Sequence, residues 1–186
     1  MAERDELLSS IAATTADYRA GDLDAPTAEH VERWISQFGA AVQIPILREM
    51  DHVLKQTYFS RARTAKFLAG LFQTKKLVGE DPCAFWKGVK FLDIQGGGAS
   101  QTQMIALFSK LLEANCGFEA SECGKNAEVF LYIDDATFTG NRVKQDIEKW
   151  IAGDAPAKAT VHIVMIAMHT GARYWSSPTE VVRRYV

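Results

Sequence analysis

The chain has 186 residues, 47% hydrophobic and 24% charged, with 13 glycines and 5 prolines, so it can build a buried core and is not disordered, collagenous or low-complexity. Twenty-one Lys and Arg stand against 23 Asp and Glu, a formal charge of -2, which gives no bulk electrostatic signal for nucleic acid or an anionic membrane. The longest apolar run, Val161 to Met168 broken by His162, is far short of the ~20 residues of a membrane-spanning helix, and Met1 to Ile11 is too polar for a signal peptide; a soluble, cytoplasmic protein is expected.

Upstream of residue 88 the pattern is helical. Pro26 suits a first helical position, and Val31, Trp34, Ile35 and Phe38 recur on one helix face, which places Trp34 and Phe38 in a core. A second helix carries Leu47, Met50, Leu54 and Tyr58. A third starts at Ser60 as N-cap, with Ala65, Leu68, Leu71 and Phe72 inward and Arg61, Arg63 and Lys66 on a solvated face. Residues 1–87 therefore form a helical section expected to pack on a sheet.

Residues 88–186 alternate between short apolar runs and helices, the pattern of an α/β protein with a mostly parallel, Rossmann-like sheet. Phe91 to Ile94 is the first expected strand. After Gln95-Gly96-Gly97-Gly98-Ala99, the tetrad Ser100-Gln101-Thr102-Gln103 has capping-box form, and the helix it opens buries Ile105, Phe108, Leu111 and Leu112. Val129 to Ile133 is too continuously apolar to have a wet face, as a central parallel strand requires. A loop from Asp134 to Gly140 leads to a helix with Val143, Ile147, Trp150 and Ile151 inward. Thr160 to Met168 is a third buried strand, ending at His169-Thr170-Gly171. Ser177 to Glu180 offers another capping box close to the chain end, so the sheet reads as unfinished, truncated at its C-terminus or kept in minimal form. The three cysteines, Cys83, Cys116 and Cys123, have no zinc-like spacing and are expected to be ordinary reduced thiols.

The strand ends at Gln95, Asp134 and His169 share the carboxyl edge of a parallel sheet, where α/β proteins place ligands. Gly96, Gly97 and Gly98 offer no side chain to obstruct an anion, and the following helix directs its positive end there. The loop is not a Walker motif, and as a dinucleotide fingerprint it is incomplete, with Gln101 at the third glycine position. Asp134 and Asp135 can hold ribose hydroxyls or a magnesium ion, while Thr137, Thr139 and nearby amides can grip a monophosphate. A tight turn explains the glycines alone, and a cap or turn explains the two acids alone; their conjunction with Thr139-Gly140 after a buried strand favours a sugar phosphate. An aspartyl-phosphate phosphatase would need Asp-x-Asp at the strand end, which Asp134-Asp135-Ala136 lacks.

Val129 to Gly140, an apolar strand, two acids, three residues and Thr-Gly, resembles the signature of type I phosphoribosyltransferases. The helical front with Tyr58-Phe59-Ser60, Ser100-Gln101 after a glycine loop, the acids and Trp150 resemble more closely the phosphoribosyltransferase-like family of bacterial conflict and antiviral systems (PRTase-CE). The resemblance implies a ligand, 5-phosphoribosyl 1-pyrophosphate (PRPP) or another ribose phosphate. Asp134 and Asp135 would meet its 2′ and 3′ hydroxyls directly or through Mg²⁺, as catalytic and metal-holding residues. Ala136, Thr137, Phe138, Thr139 and Gly140 would wrap the 5-phosphate, with Asn141 and Arg142 beside them where many relatives have a further Gly and Thr. Arg142 would then supply part of the phosphate clamp. Gly96, Gly97, Gly98 and Ser100 would face the pyrophosphate.

Relatives close the site with a flexible hairpin, for which only Glu113 to Glu128 is available here. The function implied is Mg-dependent phosphoribosyl transfer with pyrophosphate release in antiviral defence. The alternative is a non-catalytic PRPP- or nucleotide-sensing or assembly module on the same fold. A homodimer or defence-system partner proteins are the implied partners. His169 is a further acid–base candidate or a hydrogen-bonded loop residue, and His162 is expected to be an interior residue.

Overall fold

The computed structural model describes residues 2–170; Gly171 and the expected Ser177–Glu180 cap lie outside them. The chain divides into two compact units, Met1–Ala65 and Lys66–Val186, not at the change of hydrophobic pattern near residue 88. The physical reason is that Leu68, Phe72, Val78 and Trp86, all upstream of residue 88, share one core with Val89, Phe91, Phe108, Leu112, Leu131 and Ile133.

The first unit contains α1 (Ala2–Thr14), α2 (Ala28–Ile35) and α3 (Ala40–Thr57), whose core is Leu8, Ile11, Ala12, Val31, Ile35 and Leu47. Thr27, not Pro26, starts α2: its hydroxyl accepts from the His30 amide while the Thr27 amide donates to the His30 ring nitrogen Nδ1, which satisfies two donors the helix leaves open. Pro26 therefore precedes the cap. Because α2 ends at Ile35, Phe38 leaves its face and stays 40% exposed, with its ring edge-on to Trp34. Ser60 caps α4 (Arg61–Phe72) as expected, accepting from the Arg63 amide at 3.2 Å, but Thr64 rather than Ala65 takes the buried position.

In the second unit, α5 (Lys75–Val78) and α6 (Pro82–Gly88) precede β1 (Val89–Phe91). Asp81 caps α6 and proline opens it, a favourable start because proline lacks only an amide the helix would not use. Then follow α7 (Ser100–Cys116), β2 (Val129–Thr137), α8 (Asn141–Gly153) and β3 (Thr160–Met168). The protein is α/β: a parallel sheet in the order β1-β2-β3, preceded by a helical section. Strand alternation gives β2 two apolar faces. Leu131 and Ile133 pack with Phe108 and Leu112 of α7, whereas Phe130 and Tyr132 pack with Val143, Ile147 and Trp150 of α8. Ile151, expected inward, is 41% exposed.

Two further expectations are corrected. Cys83 on α6 and Cys116 at the end of α7 form a disulfide, their Cα atoms 5.5 Å apart, and only Cys123 is a free, buried thiol among the described residues; sequence spacing of 33 gave no hint that two helices bring these ends together. Glu113 to Glu128 is not a hairpin. It completes α7, turns at Gly117 and makes one 3-10 turn, Ala120–Glu122. The Gly124 amide then donates to the Lys87 carbonyl at 2.9 Å. That contact lies where β1 begins, so the segment is docked at the amino edge of the sheet. Among the described residues, no helix is long and apolar enough to cross a membrane.

Candidate functional site

Parallel strands put the ends of β1 and β2 on one edge, and the loops that follow them meet there. β1 stops before the expected Phe91–Ile94 run is complete. Leu92 still donates to the Leu131 carbonyl, but the amides of Ile94 and Gln95 turn to the side-chain oxygen of Gln101, at 2.7 and 3.0 Å. The expected capping box does not form. Ala99 is the N-cap of α7, Ser100 is already helical, and its hydroxyl donates to Gln95 Oε1 at 3.3 Å. Gly98 has φ +89°, a left-handed conformation in which glycine carries no Cβ penalty.

β2 runs on through Asp134 and Asp135 to Thr137, paired with β3 as far as Met168, so both acids belong to the strand and not to a loop. Asp134 is 4% exposed, and its two carboxylate oxygens accept from Gln95 Nε2 and from the Asp135 amide, each at 2.9 Å. Asp135 is exposed and accepts from the Ala136 amide. Partial loss of water around it, then the neighbouring Asp134 charge, push its carboxyl above the usual carboxylate range.

Between β2 and α8 the Thr137 hydroxyl accepts from the Gly140 amide and the Thr139 hydroxyl from the Asn141 amide. Gly140, at φ +77°, is the N-cap of α8, whose first-turn amides have no acceptor within the helix. Phe138 at the loop tip is 71% exposed, its ring centroid 6.3 Å from that of His169. Arg142 joins the two loops: one terminal nitrogen donates to the Gly97 carbonyl at 2.6 Å, and Nε lies 3.4 Å from Asp146. Asp146 is itself buried and accepts from the hydroxyl of fully buried Tyr132 at 2.9 Å. Burial and the Asp146 carboxylate raise the Tyr132 hydroxyl well above its ordinary value, so it stays a donor.

The structure thus brings the Gly96–Ser100 and Ala136–Arg142 segments to one edge beside Asp134 and Asp135. It leaves His162 away from them, opposite Leu131 in the sheet and half-buried, with its imidazole shifted down by burial. Sequence reasoning missed Gln101 as a contact residue, together with Tyr132 and Asp146. The available signal was a polar side chain at an inward helical position: Gln101 precedes Met104 and Phe108, and Asp146 lies between Val143 and Ile147.

Fold and loop arrangement define an α/β protein with a parallel sheet whose first two strands send their loops to one edge. The PRTase-CE family model matches residues 31–179, and the chain belongs to that family. No significant match is found among curated proteins or among solved structures.

Proposed function

We propose that the carboxyl edge binds PRPP or a closely related ribose phosphate and that the protein transfers its phosphoribosyl group with release of pyrophosphate, in a bacterial antiviral setting. The observation that carries this reading is the 2.6 Å bond from Arg142 to the Gly97 carbonyl, which joins two loops suited to anions next to the acids, one of which, Asp134, is held by Gln95. Asp134 and Asp135 would accept from the ribose hydroxyls. The loop from Ala136 to Asn141 and the positive end of α8 would receive the 5-phosphate, with Arg142 as a charged donor. Amides of Gly96 to Ser100 would face the pyrophosphate, where negative charge grows as the bond from ribose C1 to pyrophosphate oxygen breaks and one from C1 to the acceptor forms.

Among the described residues no cluster of three or more His, Cys, Asp or Glu side chains is placed to hold a metal. Mg²⁺ is nonetheless compatible with the site, because it commonly takes only one or two carboxylates and completes its shell with phosphate oxygens and water. Desolvation, and after it the Asp134 charge, raise Asp135; a cation between the two acids would offset both. When bound with the ligand it would neutralise charge on the pyrophosphate.

Calorimetric titration with Mg-PRPP tests the proposal: binding in the wild type should be lost in Asp134→Asn and Asp135→Asn, and absence of heat at millimolar ligand would refute it. The docking of residues 117–128 at the opposite edge favours a second reading, a sensor or assembly module that binds the same ligand without turnover. Steady pyrophosphate production with any acceptor would exclude that one.

A further inference from the structure

We propose that Gln101 is the positioning residue of this site, the group that aims Gln95 at Asp134. It is the second residue of α7 and is fully buried. Its Oε1 accepts from two successive amides, Ile94 and Gln95, just where β1 leaves the sheet. The next contact outward is Ser100, whose hydroxyl donates to Gln95 Oε1. With its backbone held by Gln101 and its oxygen taken by Ser100, Gln95 presents Nε2 to Asp134 at 2.9 Å. The start of α7 therefore reaches the acid through one intermediary.

The orientation of the Gln101 amide follows from its partners: both are N–H donors, so the atom facing them is oxygen. That choice strands the other end. Among the described residues, Gln101 Nε2 is buried without a hydrogen-bond partner, and a donor removed from water with nothing in exchange is destabilising. A Leu or Met would lie on the same inward face as Met104 and Phe108 without this penalty, but could not accept from Ile94 and Gln95. A Glu would accept from both, yet would add a buried negative charge near Asp134. Glutamine is the uncharged side chain that carries a carbonyl this far, and the stranded donor is the cost of holding the strand end. Such a local sacrifice is characteristic of functional sites.

The purpose of this arrangement rests on the ribose-phosphate reading, whereas its geometry is testable in ligand-free protein. In the ¹⁵N-labelled full chain, Gln101→Met should speed exchange of the Ile94 and Gln95 amides by about tenfold and move the Gln95 side-chain amide resonances to solvent-exposed values, with exchange inside α7 unchanged. Affinity for Mg-PRPP should fall about tenfold, the equivalent of one lost hydrogen bond. Should the Met variant not fold, Gln101→Asn, one methylene too short, should show the same changes. Unchanged Gln95 side-chain resonances in a folded variant would overturn the proposal. Wild-type protein that ignores Mg-PRPP while the Gln95 resonances still respond would instead overturn the ribose-phosphate reading.

Discussion

Breaking the Cys83–Cys116 disulfide should destabilise the second unit selectively. The bond closes a loop with a sequence separation of 33. Loop-closure entropy gives about 3 kcal/mol for 15 residues and about 4.7 kcal/mol for 100, which places this bond near 3.5–4 kcal/mol. Both cysteines lie in Lys66–Val186; at the entropy of unfolding of a domain this size, the loss corresponds to a fall of roughly 10–15 °C in Tm. Scanning calorimetry of the wild type with and without dithiothreitol, and of Cys116→Ser, should show that shift in the transition of the second unit and none in that of Met1–Ala65. Thiol titration supplies the count: after incubation with oxidised glutathione, the denatured, unreduced chain should expose one thiol, Cys123, which is buried and held in its neutral form in the fold. Three thiols in that titration, or a second-unit transition indifferent to reductant, would refute the pairing.

A pair of glycine substitutions separates backbone strain from close approach. Gly117→Ala, at φ +73° with nothing within 4 Å, should cost only the left-handed penalty, about 1–2 kcal/mol. Gly124→Ala has a similar φ of +64° but sets its Cβ 2.7 Å from the Lys90 backbone, adding about 1–3 kcal/mol of overpacking; equal urea midpoints for the two variants would refute the docking of that segment. Asp135→Asn should stabilise the protein at neutral pH. The folded carboxyl is shifted up, so the fold binds its proton more tightly than the unfolded chain does, and the stability linked to it is present at acid pH and lost as pH rises through the folded value. The Tm advantage of the variant should therefore be largest near pH 7 and shrink as pH falls toward 4, and an advantage independent of pH would refute the upward shift of the Asp135 carboxyl.

Long-range periodicity was legible in the sequence and local chemistry at the element ends was not. Val129 to Ile133 declares itself a central strand because both faces are apolar, and β3 was bounded correctly at Thr160 and Met168. The end of β2 was misplaced because charge at Asp134 and Asp135 looks like a loop, whereas pairing with β3 continues to Thr137. Ser100-Gln101-Thr102-Gln103 has the form of a capping box, yet tertiary partners claimed its side chains: Gln95 took the Ser100 hydroxyl, and two β1-end amides took Gln101. The disulfide was invisible for a related reason, since it depends on α6 and α7 lying side by side. Of the candidate site, the glycine loop, the acids and the loop before α8 were read directly. The contacts that join them were not, because each is a tertiary bond between residues whose individual signals are bland.

The join between the loops is set by the core more than by the loops themselves. Arg142 is the second residue of α8, and the same turn of helix carries Val143 at 2% exposure, with Ile147 and Trp150 following on the buried face. Those side chains pack against Phe130 and Tyr132 of β2, which fixes the rotation of α8 relative to the strand. Asp146 then falls opposite the Tyr132 hydroxyl and four residues from Arg142, so one buried carboxylate is satisfied by a core phenol on one side and a surface guanidinium on the other. Deleting the Tyr132 hydroxyl would leave Asp146 short of a donor in a desolvated position, a more severe loss than trimming an exposed charge. The reach of Arg142 to Gly97 is therefore inherited from strand-to-helix packing. Through Arg142 the glycine loop takes its position from core residues of β2 and α8.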